Sequence, residues 1–165
     1  MYLKQSDLFW GIVEHDFVKG VMEKSSKLSV KPGDILFREG DPAEKFYILV
    51  KGHVRLGIGD RGHVVHTVSR AGECFGWSSL IERDAYTASA ECVEPTELMV
   101  IDRKDFESVL VRDPDNGVLF LRRLAGLIAQ RLVNSYVLLS DRSEGAEEGA
   151  PGTGQLERTS ENVEL

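Results

Sequence analysis

The sequence is poor in cysteine, in long apolar segments and in targeting signals. It has two cysteines in 165 residues, Cys74 and Cys92, and no Cys-x-x-Cys pair, so a disulfide framework is excluded. No apolar run approaches the roughly 18 residues that a membrane span needs. Residues 1–7 lack the basic start and the apolar centre of a signal peptide. We therefore expect a cytoplasmic protein with reduced thiols and no membrane association.

Basic charge is also scarce. The net charge is −7, and residues 141–165 hold seven acidic and two basic side chains, so −5 of it lies in this last segment. The same segment is rich in glycine, glutamate, serine and threonine and has few apolar residues, a composition typical of disorder. Residues 141–165 are thus predicted to be an acidic disordered tail. No cluster of lysine and arginine forms the basic surface that nucleic acid requires.

Motifs for catalysis and metal binding are lacking as well. No nucleophile elbow, P-loop or paired-carboxylate arrangement is visible. Three histidines, His53, His63 and His66, fall on one predicted hairpin. A metal needs two or more side chains that converge on one point, and alternation along the strand directs His63 and His66 to opposite faces. We expect no enzyme activity, no metal site and no resident cofactor.

What the sequence does contain is a series of short apolar segments between residues 24 and 101. They alternate with period two and are separated by turns rich in glycine and proline, such as 31–34, 39–42 and 59–62, the last a hairpin signal. Many short strands at close spacing indicate an antiparallel sandwich or barrel. The predicted strands are 28–30, 35–37, 46–50, 53–58, 63–69, 86–92 and 97–101.

Helical spacing flanks this region on both sides. Ser6 and Asp7 can cap an N-terminal helix whose apolar residues recur through Val21. After Asp102 a short helix runs through Leu110, and a break at 113–115 can cap a long helix over 115–140. Five of its residues approximate a heptad seam, namely Leu121, Leu124, Ile128, Ser135 and Leu138. A helix of this kind can cover the sheet, pair with its copy, or do both, and we expect a homodimer through helix 115–140.

The segment 72–88 has the features of a small binding site. A glycine-containing turn leads into a short helical segment whose first turn holds two serines. A glycine lets the backbone approach a ligand closely, and free N–H groups at the start of a helix favour an anion. The segment is either a cradle for a phosphate or carboxylate or an ordinary strand-to-helix corner, and the local sequence fits both.

Three sequence blocks resemble the cyclic nucleotide-binding domain. They are 31–41 (KPGDILFREGD), 46–54 (FYILVKGHV) and 71–76 (AGECFG), in the order and at the spacing of that family. It is the effector domain of the catabolite activator and anaerobic regulator superfamily, also found in kinase regulatory subunits and ion channels. The resemblance covers residues 5–140 and implies a mainly β fold. That fold is an eight-stranded antiparallel jelly roll with an N-terminal helix, a short helix across its mouth and a long C-terminal helix. Transcription factors of this superfamily continue into a helix-turn-helix, whereas an acidic tail follows here, so we expect no direct DNA binding.

The resemblance also implies a phosphate cassette, which departs from the family pattern at two positions. In nucleotide-binding members a glutamate contacts the ribose, and an arginine followed by two small residues binds the cyclic phosphate. Trp77 stands in place of the glutamate and Tyr86 in place of the arginine. The positions that do fit are Phe75, Gly76, Ser79, Leu80, Thr87 and Ala88. Losing two charge-assisted hydrogen bonds of about 1.5–3 kcal/mol each predicts a cyclic nucleotide affinity lower by roughly a hundred-fold to ten-thousand-fold.

The two aromatic replacements leave three functional hypotheses. Trp77 and Tyr86 can stack on a planar ligand or close the pocket as core residues, and Arg83 can reach inward or stay in solvent. The first hypothesis is a regulatory sensor for a small anionic or planar ligand, signalling through the C-terminal helix. The second is a protein-interaction or dimerisation module with a closed pocket, and the third is a variant binder of cyclic AMP or cyclic GMP. The predicted ligand contacts are Leu56, Phe75, Gly76, Trp77, Ser78, Ser79, Leu80, Arg83, Tyr86, Thr87 and Ala88.

Overall fold

The computed structural model describes residues 6–12 and 16–147, with side chains through Val137. The described elements are a short N-terminal helix, eight strands, one 3-10 helix and two C-terminal helices. In chain order they are α1 (Asp16–Lys24), β1 (Ser26–Val30), β2 (Ile35–Phe37), β3 (Lys45–Lys51), β4 (Val54–Ile58), β5 (His63–Val68), β6 (Cys74–Phe75), the 3-10 helix (Trp77–Leu80), β7 (Ser89–Cys92), β8 (Thr96–Asp102), α2 (Arg103–Arg112) and α3 (Pro114–Glu147).

The strands form two four-stranded antiparallel sheets. One has the order β1-β8-β3-β6 and the other the order β2-β7-β4-β5. The β4–β5 hairpin pairs Ile58 with His63 across the predicted turn, and Gly62 N–H donates to the carbonyl of Gly59 at 2.9 Å. The mainly β, antiparallel jelly roll with flanking helices that the sequence predicts is confirmed.

The central part of strand β3, residues 46–50, is apolar because both faces of the strand are buried there. Tyr47 and Leu49 point into the space between the sheets, among the side chains of the interior core. Phe46 points the other way, and its ring lies 5.6 Å from that of Phe106 in α2. A strand buried on one face alternates apolar and polar residues, whereas burial on both faces gives an uninterrupted apolar run. The run of residues 46–50 in the sequence is therefore the mark of a strand between two cores.

A second core lies between the sheet and the helices and is built from phenylalanine. Its five rings are fully buried, and neighbouring centroids lie 5.0–6.5 Å apart, within the range of favourable aromatic pairing. The rings are Phe9, Phe17, Phe46, Phe106 and Phe120. They fix α1, α2 and the first turns of α3 against the sheet.

The predicted N-terminal helix differs from the observed structure. Residues 7–12 form turns, the helix is Asp16–Lys24, and Val13 lies outside the described residues. Gly11 has φ +74, a left-handed conformation that ends a right-handed helix. The predicted cap is also wrong in its chemistry, because the carbonyl of Ser6 accepts the N–H groups of Phe9 and Trp10 while the Ser6 hydroxyl contacts Cys74.

The largest differences from the predicted strands are at β6 and β7. Strand β6 has two residues, too few for a period to show in the sequence, and was not predicted. The strand predicted over 86–92 begins only at Ser89. The backbone of Tyr86 is instead hydrogen-bonded to the β2–β3 turn. Its N–H donates to the carbonyl of Asp41 and its carbonyl accepts the N–H of Gly40, both at 2.9 Å.

Helix α3 begins as predicted and runs further than predicted. Pro114 is its first residue, and Asp113 Oδ1 accepts the N–H of Asn116 at 3.3 Å, which caps the first turn. The helix continues to Glu147, so the first seven residues of the predicted disordered tail are helical, and residues 148–165 lie outside the described part. No helix of the described residues combines the length and apolar character that crossing a membrane requires.

The side chains of α3 also correct the predicted seam. Leu124 is 1% exposed and faces the protein's own core, so it is not available to a partner. Leu121 is 38% exposed, and the side chain of Leu138 lies outside the described set. The chain divides after Ala125 into two compact units, with α3 passing from the first into the second.

Candidate functional site

The cassette connects β6 to β7 and begins at a tightly packed glycine. Gly76 has φ +75 and precedes the 3-10 helix. A Cβ at this position would lie 2.9 Å from the ring of Tyr47 and 3.1 Å from the carbonyl oxygen of Lys45. Both the conformation and the space therefore require glycine. The sequence motif Phe75-Gly76 is thus explained by packing against β3.

Replacing this glycine should cost more than conformational strain alone. Gly76→Ala places a methyl group against the Tyr47 ring, and we expect it to lower the free energy of unfolding by about 1–3 kcal/mol more than Gly33→Ala. Gly33 is a matched control, because it has φ +85 but no atom within 4 Å of an added Cβ. Urea unfolding of the two variants measures the difference, and equal losses would contradict the packing role.

The interior below the cassette is filled by four aromatic rings. Tyr86 stacks on Phe37 with centroids 3.7 Å apart and planes 15° apart. Phe75 stacks on Tyr47 at 5.1 Å, and Phe37 lies 5.5 Å from Tyr47. All four are buried, Tyr86 to 5% exposure. Of the two roles that the sequence leaves open for Tyr86, its position here corresponds to closing the interior.

The hydroxyl of Tyr86 is held by the backbone of β3. It donates to the carbonyl of Lys45 at 2.7 Å and accepts the N–H of the same residue at 3.0 Å. Burial raises the pKa of Tyr86 and outweighs its hydrogen bonds to Lys45 and Tyr47, which lower it. Burial likewise raises the pKa of Tyr47, with Tyr86 and Asp102 adding to the effect. Both phenols are therefore neutral, and neither supplies the charge that an arginine would bring to a phosphate.

The two serines of the cassette are buried. Ser78 is 4% exposed and Ser79 is fully buried. The Ser79 hydroxyl donates to the carbonyl of Gly76 at 2.9 Å, so its one proton is used within the 3-10 helix. Its role in the described structure is to close this turn.

The remaining predicted contacts range from buried to fully exposed. Trp77 and Leu80 are half-buried, and Arg83 is exposed on the loop that follows, with its carbonyl accepting from Arg103 at 3.3 Å. Thr87 is exposed and Ala88 is half-buried, whereas Leu56 is buried on β4 in the interior core. The Arg83 side chain is thus exposed to solvent.

Three grooves on the surface of the described residues are lined by residues other than the predicted ligand contacts. Their volumes are about 760, 380 and 390 Å³, and none includes a predicted ligand contact. The largest is bounded by the β2–β3 turn, Asp84 of the cassette loop and the start of α2.

Sequence reasoning missed Glu73, which fixes the turn into the cassette. Its side chain is 9% exposed, and its carboxylate contacts His66 Nε2 at 2.7 Å and accepts the N–H groups of Ser69 and Arg70 at 3.1 and 3.3 Å. Burial alone would raise the pKa of Glu73, but these hydrogen bonds together outweigh it and lower the pKa to about 2. The sequence signal that could have identified this role is the acidic residue that follows Ser69 by four positions in a glycine-containing turn.

The depressed pKa makes the stability of this turn dependent on pH. Because the folded-state pKa of Glu73 lies below its unfolded value, its contribution is present above pH 5 and is lost as the pH falls toward 2. A shift from 4.5 to about 2 corresponds to about 3 kcal/mol at neutral pH. We expect Glu73→Gln to lower stability at pH 7 much more than at pH 3. Glu91→Gln, which removes an exposed pair with Arg55, is the control and should change stability by less than about 1 kcal/mol at pH 7.

Two of the three histidines of the predicted hairpin, His53 and His66, each pair with a carboxylate. His53 Nδ1 lies 2.5 Å from Glu94 Oε1, and His66 contacts Glu73. Within residues 6–12 and 16–147 no three histidine, cysteine or acidic side chains form a group that could hold a metal ion.

A two-sheet jelly roll with a glycine-led cassette between its sixth and seventh strands defines a class of effector domain, and comparison identifies the family. The model of the cyclic nucleotide-binding domain matches residues 27–113. The chain is 33% identical over 134 residues to the cyclic AMP receptor protein of Thermus thermophilus, a match that covers 79% of this chain and 59% of that protein. The chain belongs to the cyclic nucleotide-binding domain family.

Solved structures agree with this assignment. The catabolite activator protein of Thermus thermophilus superposes with a TM-score of 0.68 at 29% identity, covering 84% of this chain and 63% of that one. A cyclic nucleotide-binding domain from Methylobacillus flagellatus gives 0.67 at 25% identity, covering 77% and 72%.

The chain spans only part of the curated relatives that it matches. It covers 59% of the Thermus receptor, 16% of the human cyclic nucleotide-gated channel beta-3 (24% identical) and 7% of a lysophospholipase of Mycosarcoma maydis (26% identical). The region that they share with this chain is the cyclic nucleotide-binding domain. The match therefore indicates that the chain is a regulatory domain of this kind.

Proposed function

We propose that this chain is a non-enzymatic, cytoplasmic regulatory module whose cassette is closed by Tyr86 and whose output surface is helix α3. The observation that carries the proposal is the position of Tyr86, stacked on Phe37 and hydrogen-bonded to Lys45 where the resemblance expects an arginine. A neutral phenol cannot replace the bidentate charge of a guanidinium. A cyclic nucleotide is then not held by the usual contacts of the family.

Calorimetry with cyclic AMP and cyclic GMP tests this closure. We expect no saturable heat at ligand concentrations up to about 1 mM, a limit that corresponds to about −4 kcal/mol of binding free energy. Micromolar binding would refute the closed cassette and would establish the variant cyclic nucleotide binder instead.

The output surface is proposed from the exposed apolar side chains of α3. Within residues 126–137 four of them are 50–57% exposed, namely Leu132, Val133, Tyr136 and Val137. Exposed apolar clusters on a helix are typical of association surfaces, and a second copy of the chain is the partner that we propose.

Light scattering tests the dimer. We expect the wild type at micromolar concentration to have twice the monomer mass and Leu132→Glu to be monomeric. Gln130→Glu introduces the same group at an exposed polar position of the helix and should stay dimeric. A monomeric wild type would remove dimerisation from the proposal and leave docking of another protein.

A second candidate is a sensor for a small anionic or planar ligand at the cassette. It is favoured by the 33% identity to a protein named as a cyclic AMP receptor. A thermal-shift panel of nucleotides and small carboxylates, repeated with Trp77→Ala, tests it. A stabilising ligand whose effect is lost in Trp77→Ala would support the sensor, and no shift with any ligand would favour the closed module. The prediction that the chain does not bind DNA directly stays a prediction.

A further inference from the structure

The first turn of α3 contains the dipeptide Asn116-Gly117. An asparagine followed by glycine is especially prone to spontaneous deamidation. Glycine has no side chain to hinder the approach of its backbone nitrogen to the asparagine side chain. The other two asparagines of the chain, Asn134 and Asn162, are followed by serine and valine. The most reactive position for this chemistry is therefore at the start of α3.

Packing between α2 and α3 favours glycine at position 117. Gly117 is buried, and a Cβ there would lie 3.1 Å from Cδ2 and 3.4 Å from the carbonyl oxygen of Leu110. Contacts this close require the neighbouring side chain to move. The residue that lets the two helices approach is thus also the one that leaves Asn116 open to attack.

In the folded chain, Asp113 binds both groups that would react. The N–H of Gly117 donates to the carbonyl of Asp113 at 2.9 Å. The side-chain amide of Asn116 donates to Asp113 Oδ2 at 2.9 Å, and its backbone N–H donates to Asp113 Oδ1 at 3.3 Å. The attacking nitrogen and the leaving amide are therefore held apart in a capped helical turn, and reaction requires this turn to open.

We propose that Asn116 is a site of spontaneous deamidation that the Asp113 cap protects. When the turn opens, hydroxide removes the proton of the Gly117 N–H, and the nitrogen attacks Cγ of Asn116. The new N–Cγ bond forms as the Cγ–Nδ2 bond breaks, and the leaving amide takes a proton from water and departs as ammonia. Water then opens the resulting cyclic imide at either carbonyl, which gives aspartate or isoaspartate at position 116.

The isoaspartate product alters the attachment of α3. It loses the amide donor to Asp113 and adds a methylene to the main chain, so the i→i−4 spacing of the first turn is broken. That turn leads directly into Phe120, which belongs to the buried phenylalanine cluster. The modification would thus release the start of α3 slowly and without an enzyme. It needs neither a ligand nor a second copy of the chain, so its test is independent of the proposed function.

Peptide mapping by mass spectrometry measures the deamidation rate. The full chain is incubated at mildly alkaline pH, and Asn116 and Asn134 are followed separately. Asn134 lies in the same helix, 21 positions after Asp113, and serves as the internal reference. In Asp113→Ala, which removes the cap, we expect Asn116 to deamidate about tenfold faster and Asn134 to be unchanged.

Asp115→Ala is the matched control. Asp115 is an exposed acidic residue of the same turn, and its loss should change the rate at Asn116 by less than about threefold. An unchanged Asn116 rate in Asp113→Ala, or an equal acceleration in Asp115→Ala, would overturn the proposal. If Asp113→Ala accelerates both asparagines through unfolding, Asp113→Asn decides. It keeps a side-chain oxygen for the cap, so the proposal requires a slow rate at Asn116, and a rate as fast as that of Asp113→Ala would refute it.

Hydrogen exchange tests the release of α3. In the isolated isoaspartate fraction we expect the amides of residues 116–120 to exchange about tenfold faster than in unmodified protein. Asn116→Asp provides the control, because it supplies the aspartate product with an intact main chain and should change this exchange less. Unchanged protection in the isoaspartate fraction would show that the modification does not release the helix.

Discussion

Tyr86→Ala is expected to remove about 3–5 kcal/mol from the free energy of unfolding, the range for truncation of a fully packed aromatic side chain. The variant loses the ring stacked on Phe37 and the hydroxyl bound to Lys45. Tyr86→Phe keeps the ring and leaves both backbone groups of Lys45 without their partner, for which we expect a loss of about 1–2 kcal/mol. Urea unfolding, followed by circular dichroism, measures both.

The neighbouring Thr87 provides the control. Its side chain is exposed, so Thr87→Ala should change stability by less than about 0.5 kcal/mol. If Tyr86→Ala were as mild as Thr87→Ala, the ring would not be a core residue, and a movable ring that admits a ligand would be the better description. The same Tyr86→Ala protein should also be screened for ligands, because it opens the position that the ring occupies.

Phe120→Ala is the second large effect, at about 3–5 kcal/mol. Phe120 contacts four of the buried phenylalanines and belongs to α3, so its removal loosens the attachment of that helix to the sheet. Calorimetric or urea unfolding gives the magnitude.

Val111→Ala is the matched truncation at an exposed position. Val111 is 81% exposed near the end of α2, and its shortening should change stability by less than about 0.5 kcal/mol. A Phe120→Ala protein with wild-type stability would mean that the phenylalanine cluster does not anchor α3.

Much of the fold could be predicted because its strands and turns carry local signals. The hairpin at 59–62, the apolar run of β3 and the break at Asp113 each act within a few residues. The two-residue strand β6 and the turns of residues 7–12 could not be predicted, since the first is too short to show a period. In residues 7–12 the apolar residues keep helical spacing across Gly11. The positive φ of Gly11, which interrupts the helix, is visible only in the folded structure.

The sequence predicts where a ligand site would lie, and that location stays a prediction; it does not predict whether the interior there is closed. The resemblance located the cassette at residues 75–88 and identified Trp77 and Tyr86 as departures from the family. Whether Tyr86 closes the interior depends on Phe37 and Lys45, which are more than 40 residues away in the chain, and no local pattern contains that information. The role of Leu124 was misjudged for a similar reason, because a heptad pattern does not distinguish a residue that faces its own sheet from one that faces a partner.

The double burial of β3 has a consequence for how this sequence can vary. Adjacent side chains of the strand enter different cores, Phe46 the helical one and Tyr47 the interior one. A polar replacement at either position would disrupt a whole layer, so sequence drift is restricted there. The cassette, by contrast, joins its sheet through the two pairs of β6 with Tyr47 and Ile48. Substitutions at exposed cassette positions such as Arg83 and Thr87 can therefore accumulate while the frame persists.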